Sequence, residues 1–450
     1  MSHSSQNSKF TLNPLILLLS ILAVVILSRV MVFNQIYQQT PQSVQRGDTN
    51  RYEDPALHLL QHGSLAINPT DPRTTALSIT PLYPLFIAGT YKIFGEKNRY
   101  ALVILQILLS ALTILIIYLI AQQLWSQKVA LIASLLMALE PLTTLYSQIV
   151  LSETLFTFFL VSSLLAFIRF IKTTQFRWAL LLGILLTATT MIRPISYYLV
   201  FAIILGIGIF KQRISLSWSQ VLISALLILI PFLSVTSAWK ARNENLTGVY
   251  VLNDAMSETL LYYKAKGVLI IQKSLSYEEA QQEILERLPS NIKTPKEQVA
   301  AESKLAKEII LGDIASYLKL TLQGLKAIII GPGLTSQALF YDNKDKGKAE
   351  NSSTGYKVWY LLLIAYGIAF MLFSYLLSAY GFFRSIQGAT PQSSVIHLMM
   401  LGVVAYFILI STGHIATDSR MRVPIIPIFV LYASYGAYKV FDKFRKYNKK

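Results

Sequence analysis

Residues 101–172 read ALVILQILLSALTILIIYLIAQQLWSQKVALIASLLMALEPLTTLYSQIVLSETLFTFFLVSSLLAFIRFIK. Only Lys128, Glu140, Glu153, Arg169 and Lys172 carry charge in this stretch. It divides into three apolar segments, Tyr100–Leu124, Val129–Leu145 and Leu151–Ile171, each about as long as a helix needs to cross a bilayer. The breaks between them alternate in kind. Lys128 and Lys172 sit at one set of ends, and Glu153 sits at the other. That alternation defines a polytopic membrane protein with distinct chemistry on its two faces.

The rest of the chain repeats the pattern. Leu12–Phe33, Trp178–Ile192, Ile195–Phe210, Val221–Trp239, Tyr356–Phe383, Val395–Thr412 and Val423–Phe441 bring the total to about ten segments. Pro194 interrupts the two around it. Leu318–Leu334 is apolar but ends in Gly331-Pro332-Gly333, and reads as an amphipathic or re-entrant piece. Of the 450 residues, 54% are hydrophobic and 14% charged. Soluble domains usually carry about 25% charged residues, so a water-soluble fold is excluded. The fold expected is an all-α integral membrane bundle.

The net charge of +17 points first to nucleic acid. Its distribution argues otherwise, because the cations are scattered over short loops and a basic tail (Lys439, Lys443, Arg445, Lys446, Lys449, Lys450). That is the positive-inside bias, and its natural partner is an anionic lipid surface. With Lys9, Lys128, Lys172, Arg177, Lys211, Arg213, Arg384 and the tail inside, the alternate connections fall outside. Residues 35–99 form a first outer loop, with Asp71 in it, and residues 240–355 a second outer region with amphipathic helices. Three units follow: a transmembrane module at 1–239, the outer region at 240–355, and the last helices with their tail at 356–450. The site would then face the extracytoplasmic side of a plasma membrane. The first apolar run reads as an uncleaved anchor, and no large soluble domain is expected after the last span. Cysteine is absent, which excludes disulfides and thiolate metal sites.

The outer connections hold the residues with chemical potential. Asp48, Tyr52 and Ala56 are spaced Asp-x3-Tyr-x3-Ala. A carboxylate at the membrane surface is either a general base for an acceptor hydroxyl or a solvated loop residue. Asp54-Pro55 reads as a helix start, with an end at Gly63. Glu153 opens a span, where a charge must face protein or water. It either orients an acceptor or pairs with Arg193. Arg193, Arg242, Arg420 and Arg422 lie at outer span ends, suited either to phosphate through the guanidinium fork or to headgroup snorkelling. Tyr52, Tyr83 and His414 are candidates for a donor or acceptor pocket. No resident cofactor is indicated, although Asp48 with Glu53 or Asp54 offers oxygen ligands for a divalent ion. No His-Glu-x-x-His, Walker or dinucleotide fingerprint occurs.

In this order the motifs resemble the C-type (GT-C fold) glycosyltransferases, which include protein O-mannosyltransferases and lipid A aminoarabinose transferases. The matching residues are Asp48-x3-Tyr52-x3-Ala56, Pro81-Leu-Tyr83-Pro84-Leu-Phe86, Gln106, Pro141 ahead of Leu151-Ser-Glu153-Thr-Leu-Phe156, Arg193-Pro194, Arg242-Asn243 with Gly248, and Arg420-x-Arg422-x-Pro424-x-x-Pro427. The resemblance implies transfer of a sugar from a polyprenyl-phosphate carrier to a lipid, glycan or protein acceptor, usually with inversion. It maps the base onto Asp48, a second acid onto Glu153, and the carrier phosphate onto Arg242 and the Arg420/Arg422 pair. The chain departs from the pattern at Thr49, where mannosyltransferases carry Glu, and at Thr80, where aminoarabinose transferases carry a basic residue. Pro55 is expected to break a helix running from Asp48 to Ala56. Two rival functions share this layout. A polysaccharide polymerase or ligase would also use outer arginines, and a sugar-lipid transporter or flippase would place its key charges at the bilayer midplane.

Overall fold

The computed structural model describes residues 13–65, 79–331 and 354–448. Lys9, Asp71, Pro332, Gly333, Lys449 and Lys450 lie outside the described residues. All regular structure among the described residues is helical. Helix α1 (Pro14–Gln39) leads to α2 (Thr49–His62), α3 (Leu82–Phe94), α4 (Arg99–Leu124), α5 (Gln127–Leu139), the short α6 (Pro141–Tyr146) and α7 (Glu153–Thr173). Then follow α8 (Phe176–Ile192), α9 (Leu199–Ile209) and the long α10 (Trp218–Thr247). The stretch after α10 supplies α11 (Lys266–Lys273), α12 (Tyr277–Arg287), α13 (Pro295–Gly312) and α14 (Ile314–Ile330). The last three helices are α15 (Thr354–Gln387), α16 (Pro391–Ser411) and α17 (Ile426–Tyr447).

Seven of the ten expected segments are helices long and apolar enough to cross a bilayer. The other three, Gln127–Leu139, Phe176–Ile192 and Pro194–Ile209, are apolar but shorter, at 10–17 residues. The segment expected at Val129–Leu145 is cut by chemistry at Glu140-Pro141. The Glu140 carboxylate accepts from the backbone N–H groups of Leu142 (3.2 Å) and Thr143 (2.6 Å), capping a new helix at Pro141.

Helix α7 lies at the centre, largely buried, with α4 and α8 packed on it. Helices α1, α10 and α15 keep broad apolar faces exposed, as lipid-facing helices do. Helices α15 and α17 cross in backbone contact. A Cβ at Gly436 would lie 2.2 Å from the Leu377 carbonyl oxygen, and one at Gly381 would lie 2.0 Å from that of Tyr432. Small residues at such a crossing replace the hydrophobic drive that lipid removes.

The stretch from Leu261 to Ile309 has its own small core, which includes Leu261, Ala265, Val268, Ala280, Ile284, Leu305, Ala306 and Ile309. Capping boxes at Ser276/Glu279 and Thr294/Glu297 start α12 and α13. The stretch after Gly248 is irregular. Its carbonyls at Val251 and Leu252 are held by the Asn243 amide at 2.9 and 3.1 Å.

Candidate active site

Asp48 stands at the N-terminal end of α2, and its carboxylate makes no capping bond. The loop before it is fastened to the segment that leads into α7. Val150 N–H donates to the Val44 carbonyl at 2.8 Å, and the Thr49 hydroxyl donates to the Val150 carbonyl at 3.1 Å. Thr49 is fully buried. The residue that departs from the mannosyltransferase pattern is thus the one that ties the Asp48 loop down. Farther along, Gln106 donates to the Ile149 carbonyl at 2.6 Å and accepts from the Tyr83 hydroxyl at 2.8 Å. These bonds set the Asp48 loop and Glu153 side by side across a separation of about a hundred residues.

Asp48, Glu153, Arg193 and Arg420 form one chain of ion pairs. Arg420 Nη1 donates to Asp48 Oδ2 at 2.6 Å, joining residues 372 positions apart. Arg420 Nε donates to Glu153 Oε1. Arg193 Nη1 donates to the same oxygen at 2.7 Å. Glu153 is 0% exposed, whereas the side chain of Asp48 is 41% exposed. Glu153 also begins α7, where the helix dipole favours a negative charge. Its second oxygen, Oε2, is buried without a hydrogen-bond partner among the described residues. The two acids therefore differ in kind: one is a buried anchor for two guanidinium groups, the other an accessible carboxylate with one oxygen engaged.

The backbone around Arg420 is fixed as well. Asp418 Oδ1 accepts from Arg420 N–H at 2.8 Å and caps the short 3₁₀ turn Ser419–Ile425. Burial raises the Asp418 carboxyl above its usual range, although the neighbouring Arg420 pulls the other way. Sequence reading assigned Asp418 no role. The signal available was its position two residues before Arg420, a spacing suited to an Asx cap.

The expected pocket residues sit around this chain. Tyr52 accepts from the Ser152 hydroxyl at 3.3 Å and packs edge-on against Tyr83, with ring centroids 5.1 Å apart. Burial, with the Glu153 charge adding to it, raises the Tyr83 phenol well above its ordinary value, so it stays protonated and donates to Gln106. His414 stacks on Tyr263 at 4.5 Å, with rings 8° apart, and its Nδ1 accepts from Ala416 N–H at 3.1 Å. Burial, and then Lys264 nearby, lower the His414 pKa to about 4. Tyr263 lies on a π-helical turn, Thr259–Ala265, a feature common at functional positions. Arg51 pairs with Glu258 at 3.0 Å, so α2 is also joined to the stretch after α10.

Three expectations find other geometry. Arg422 does not join the ion-pair chain. Its Nη1 donates to the carbonyls of Ile328 (2.8 Å), Ile329 (3.3 Å) and Gly331 (3.1 Å), closing the C-terminus of α14. Arg242 stacks over Trp239 at 4.4 Å and donates to the Asn243 side chain (3.0 Å) and to the Leu65 carbonyl (2.8 Å), fastening the chain just after α2. Pro55 does not break α2, which starts at Thr49 rather than Pro55 and ends at Gly63 in a left-handed conformation. A helix interior tolerates the proline by forfeiting one backbone bond.

Glu53 is engaged by other side chains. It is buried and bonded by Arg99 and by the Tyr91 hydroxyl. Burial raises its pKa, but those bonds outweigh it and hold the carboxyl below its usual range. Burial and the Glu53 charge push Asp54 the other way. Among the described residues no group of three or more His, Asp or Glu side chains is arranged to hold a metal ion.

Residues 78–239 match the family of dolichyl-phosphate-mannose-protein mannosyltransferases. That range holds Tyr83, Glu153 and Arg193, but not Asp48 or Arg420. No curated protein matches the sequence. Among solved structures, the chain is similar to the oligosaccharyltransferase of Archaeoglobus fulgidus in its apo form. The TM-score is 0.54 at 14% identity, over 96% of this chain and 51% of that one. The chain thus spans about half the length of that enzyme. Similarity extends to the archaeal oligosaccharyltransferase AglB in complex with an inhibitory peptide and a dolichol-phosphate (TM-score 0.48, 14% identity, 96% and 51% covered). It extends also to ArnT from Cupriavidus metallidurans bound to undecaprenyl phosphate (TM-score 0.44, 11% identity, 94% and 78% covered). The all-helical GT-C architecture expected from the sequence is borne out.

Proposed function

We propose that this protein is a glycosyltransferase that moves a sugar from a polyprenyl-phosphate carrier to a hydroxyl-bearing acceptor, a lipid, glycan or protein, on the non-cytoplasmic face of a plasma membrane. The observation that carries this reading is the Asp48–Arg420–Glu153–Arg193 chain, with an accessible carboxylate at one end. The mannosyltransferase family match over 78–239 and the GT-C fold support it. The Lys and Arg residues at the opposite helix ends support the sidedness.

The reaction follows from this layout. An acceptor hydroxyl attacks the anomeric carbon as the carbon–oxygen bond to phosphate breaks. Its proton passes to the free oxygen of Asp48. The departing lipid phosphate gains negative charge, and the N–H groups of Arg193 and Arg420 that Glu153 and Asp48 leave unused stabilise it. Glu153 acts through these arginines, holding both in place, and is a positioning residue in this scheme. Displacement in one step inverts the sugar carbon. The bilayer confines the donor and orients it at the surface. Arg242 and Arg422 position the surrounding loop and helix end.

Asp48→Asn tests the base. It removes the proton acceptor while keeping shape, and turnover of a polyprenyl-phosphate sugar should fall by about 10²–10⁴-fold in a purified, folded variant. Wild-type turnover in that variant removes Asp48 from the mechanism.

A further inference from the structure

Helix α1 carries a single charge, Arg29, inside a segment long and apolar enough to cross a bilayer. An ionisable residue at that depth is costly and marks a functional position by default. Arg29 is 5% exposed, although most of its helix faces outward. Its guanidinium has two prongs. Nη1 donates to Ser110 Oγ on α4 at 2.6 Å, and Nη2 donates to Thr144 Oγ1 on α6 at 2.7 Å. Nη2 also lies 3.5 Å from the Ala138 carbonyl at the end of α5. Glu140, which caps α6, is the acid whose charge reaches it.

Both prongs end on the pieces that hold Asp48 in place. Ser110 lies one turn along α4 from Gln106, whose amide grips the Ile149 carbonyl. The Thr144 carbonyl accepts from the Ser147 hydroxyl at 2.7 Å, and the Leu145 carbonyl accepts from Gln148 N–H at 3.0 Å, so α6 runs bonded into the segment 147–150. Val150, at the end of that segment, bonds Val44 and Thr49 on either side of Asp48. Arg29 therefore joins the helix that grips this segment to the helix that leads into it. The corner is held by bonds rather than by dense packing. A cavity of about 330 Å³, counted with its mouth, is lined by Arg29, Ser110, Thr143, Thr154 and Thr157. The Thr157 hydroxyl has no hydrogen-bond partner among the described residues. Without the guanidinium, α6 has room to shift into this space, carrying Val150 and Asp48 with it.

We propose that Arg29 is a positioning residue for sugar transfer: its two-pronged bond from α1 to α4 and α6 sets the segment 147–150 and, through it, the place of Asp48. The proposal rests on the reading of Asp48 as the base.

Two readouts on the full-length protein in detergent test it: turnover of a polyprenyl-phosphate sugar, and hydrogen exchange at the Val150 amide. Arg29→Met keeps the stem and removes both prongs. Thr144→Val removes one acceptor and keeps the test open should the first variant not fold. A misplacement of about 1 Å costs about 10²-fold, so kcat should fall by about that factor in Arg29→Met, with donor KM within about twofold of wild type. In an Asp48→Asn background the same substitution should lower kcat by less than about twofold, because no base is left to place. Exchange at Val150 should quicken about tenfold or more, the size of one charge-assisted hydrogen bond. The α7 amides of Val161 and Leu164 should keep wild-type protection. Thr144→Val should move both readouts the same way and by less. A kcat within about twofold of wild type in Arg29→Met, an equal loss in both backgrounds, or unchanged Val150 protection overturns the proposal, as does a Thr144→Val protein that matches wild type in both readouts. Loss of protection at Val161 and Leu164 along with Val150 overturns it in favour of general loosening of the bundle. Wild-type turnover in Asp48→Asn alone refutes the base instead, and exchange at Val150 then supports or overturns the placing of the segment by Arg29 on its own.

Discussion

Replacing Glu153 with glutamine keeps the side chain's shape and removes the charge on which two arginines depend. One carboxylate oxygen accepts from both Arg420 and Arg193. A glutamine carbonyl can accept only part of that donation, and its amide must then face like N–H groups. Removing one member of a buried ion pair costs about 3–5 kcal/mol, because the charge left behind stays desolvated. Here the surviving arginines are 18% and 17% exposed, so water recovers part of the loss. The lower end, about 3 kcal/mol, is the expected destabilisation. The assay is reversible unfolding in mixed micelles, run as a double-mutant cycle with Arg193→Met. In the Glu153→Gln background the second substitution should cost less than in wild type, with a coupling of about 1.5–3 kcal/mol for the lost charge-assisted bond. A Glu153→Gln protein within about 0.5 kcal/mol of wild type, or an additive cycle, refutes the argument that Glu153 anchors the site.

Three further outcomes follow from the same geometry. Arg422→Met should lower stability by about 1.5–3 kcal/mol, since it frees three carbonyls at the end of α14, yet leave KM for the lipid donor unchanged; a raised KM with intact stability would make Arg422 a phosphate ligand. His414 gives a pH dependence. The unfolded chain takes up its proton near pH 6.5, the folded chain only near 4, so the unfolded state binds more protons in between and stability falls as pH drops through that window. Melting curves at pH 7 and pH 5 should differ more for wild type than for His414→Phe, and equal differences would contradict the burial of that imidazole. Gly436→Ala places a Cβ 2.2 Å from the Leu377 carbonyl oxygen, and should cost about 1–3 kcal/mol of stability by prising α15 from α17; an unchanged melting temperature would contradict the close crossing.

Much of this arrangement is legible in the sequence, because a bilayer restricts what an apolar run can become. Long runs such as Arg99–Leu124 and Glu153–Thr173 form helices close to where hydropathy draws them. The miss at Val129–Leu145 came from hydropathy averaging over Glu140-Pro141, where a capping carboxylate ends one helix and starts another. The start of α2 was misplaced because Asp54-Pro55 carries the local signal of a helix start, while tertiary ties at Thr49 begin the helix six residues earlier. At the site, residue type and position suggested that Asp48, Glu153, Arg193 and Arg420 share a face. Nothing in spacing could separate Arg420 from Arg422. Two residues apart on a 3₁₀ turn, they point to different partners, one to carboxylates and one to helix-end carbonyls. Asp418, Gln106 and Thr49 are polar groups whose use depends on what folds against them, which one-dimensional pattern does not carry.

The most direct measurement is an experimental structure of the protein with a polyprenyl phosphate bound. The phosphate oxygens should lie about 3 Å from guanidinium nitrogens of Arg193 and Arg420, with the free oxygen of Asp48 facing the position of the sugar carbon. A phosphate bound beyond reach of both arginines, or Asp48 and Glu153 found apart in that complex, would contradict a shared site for carrier and base.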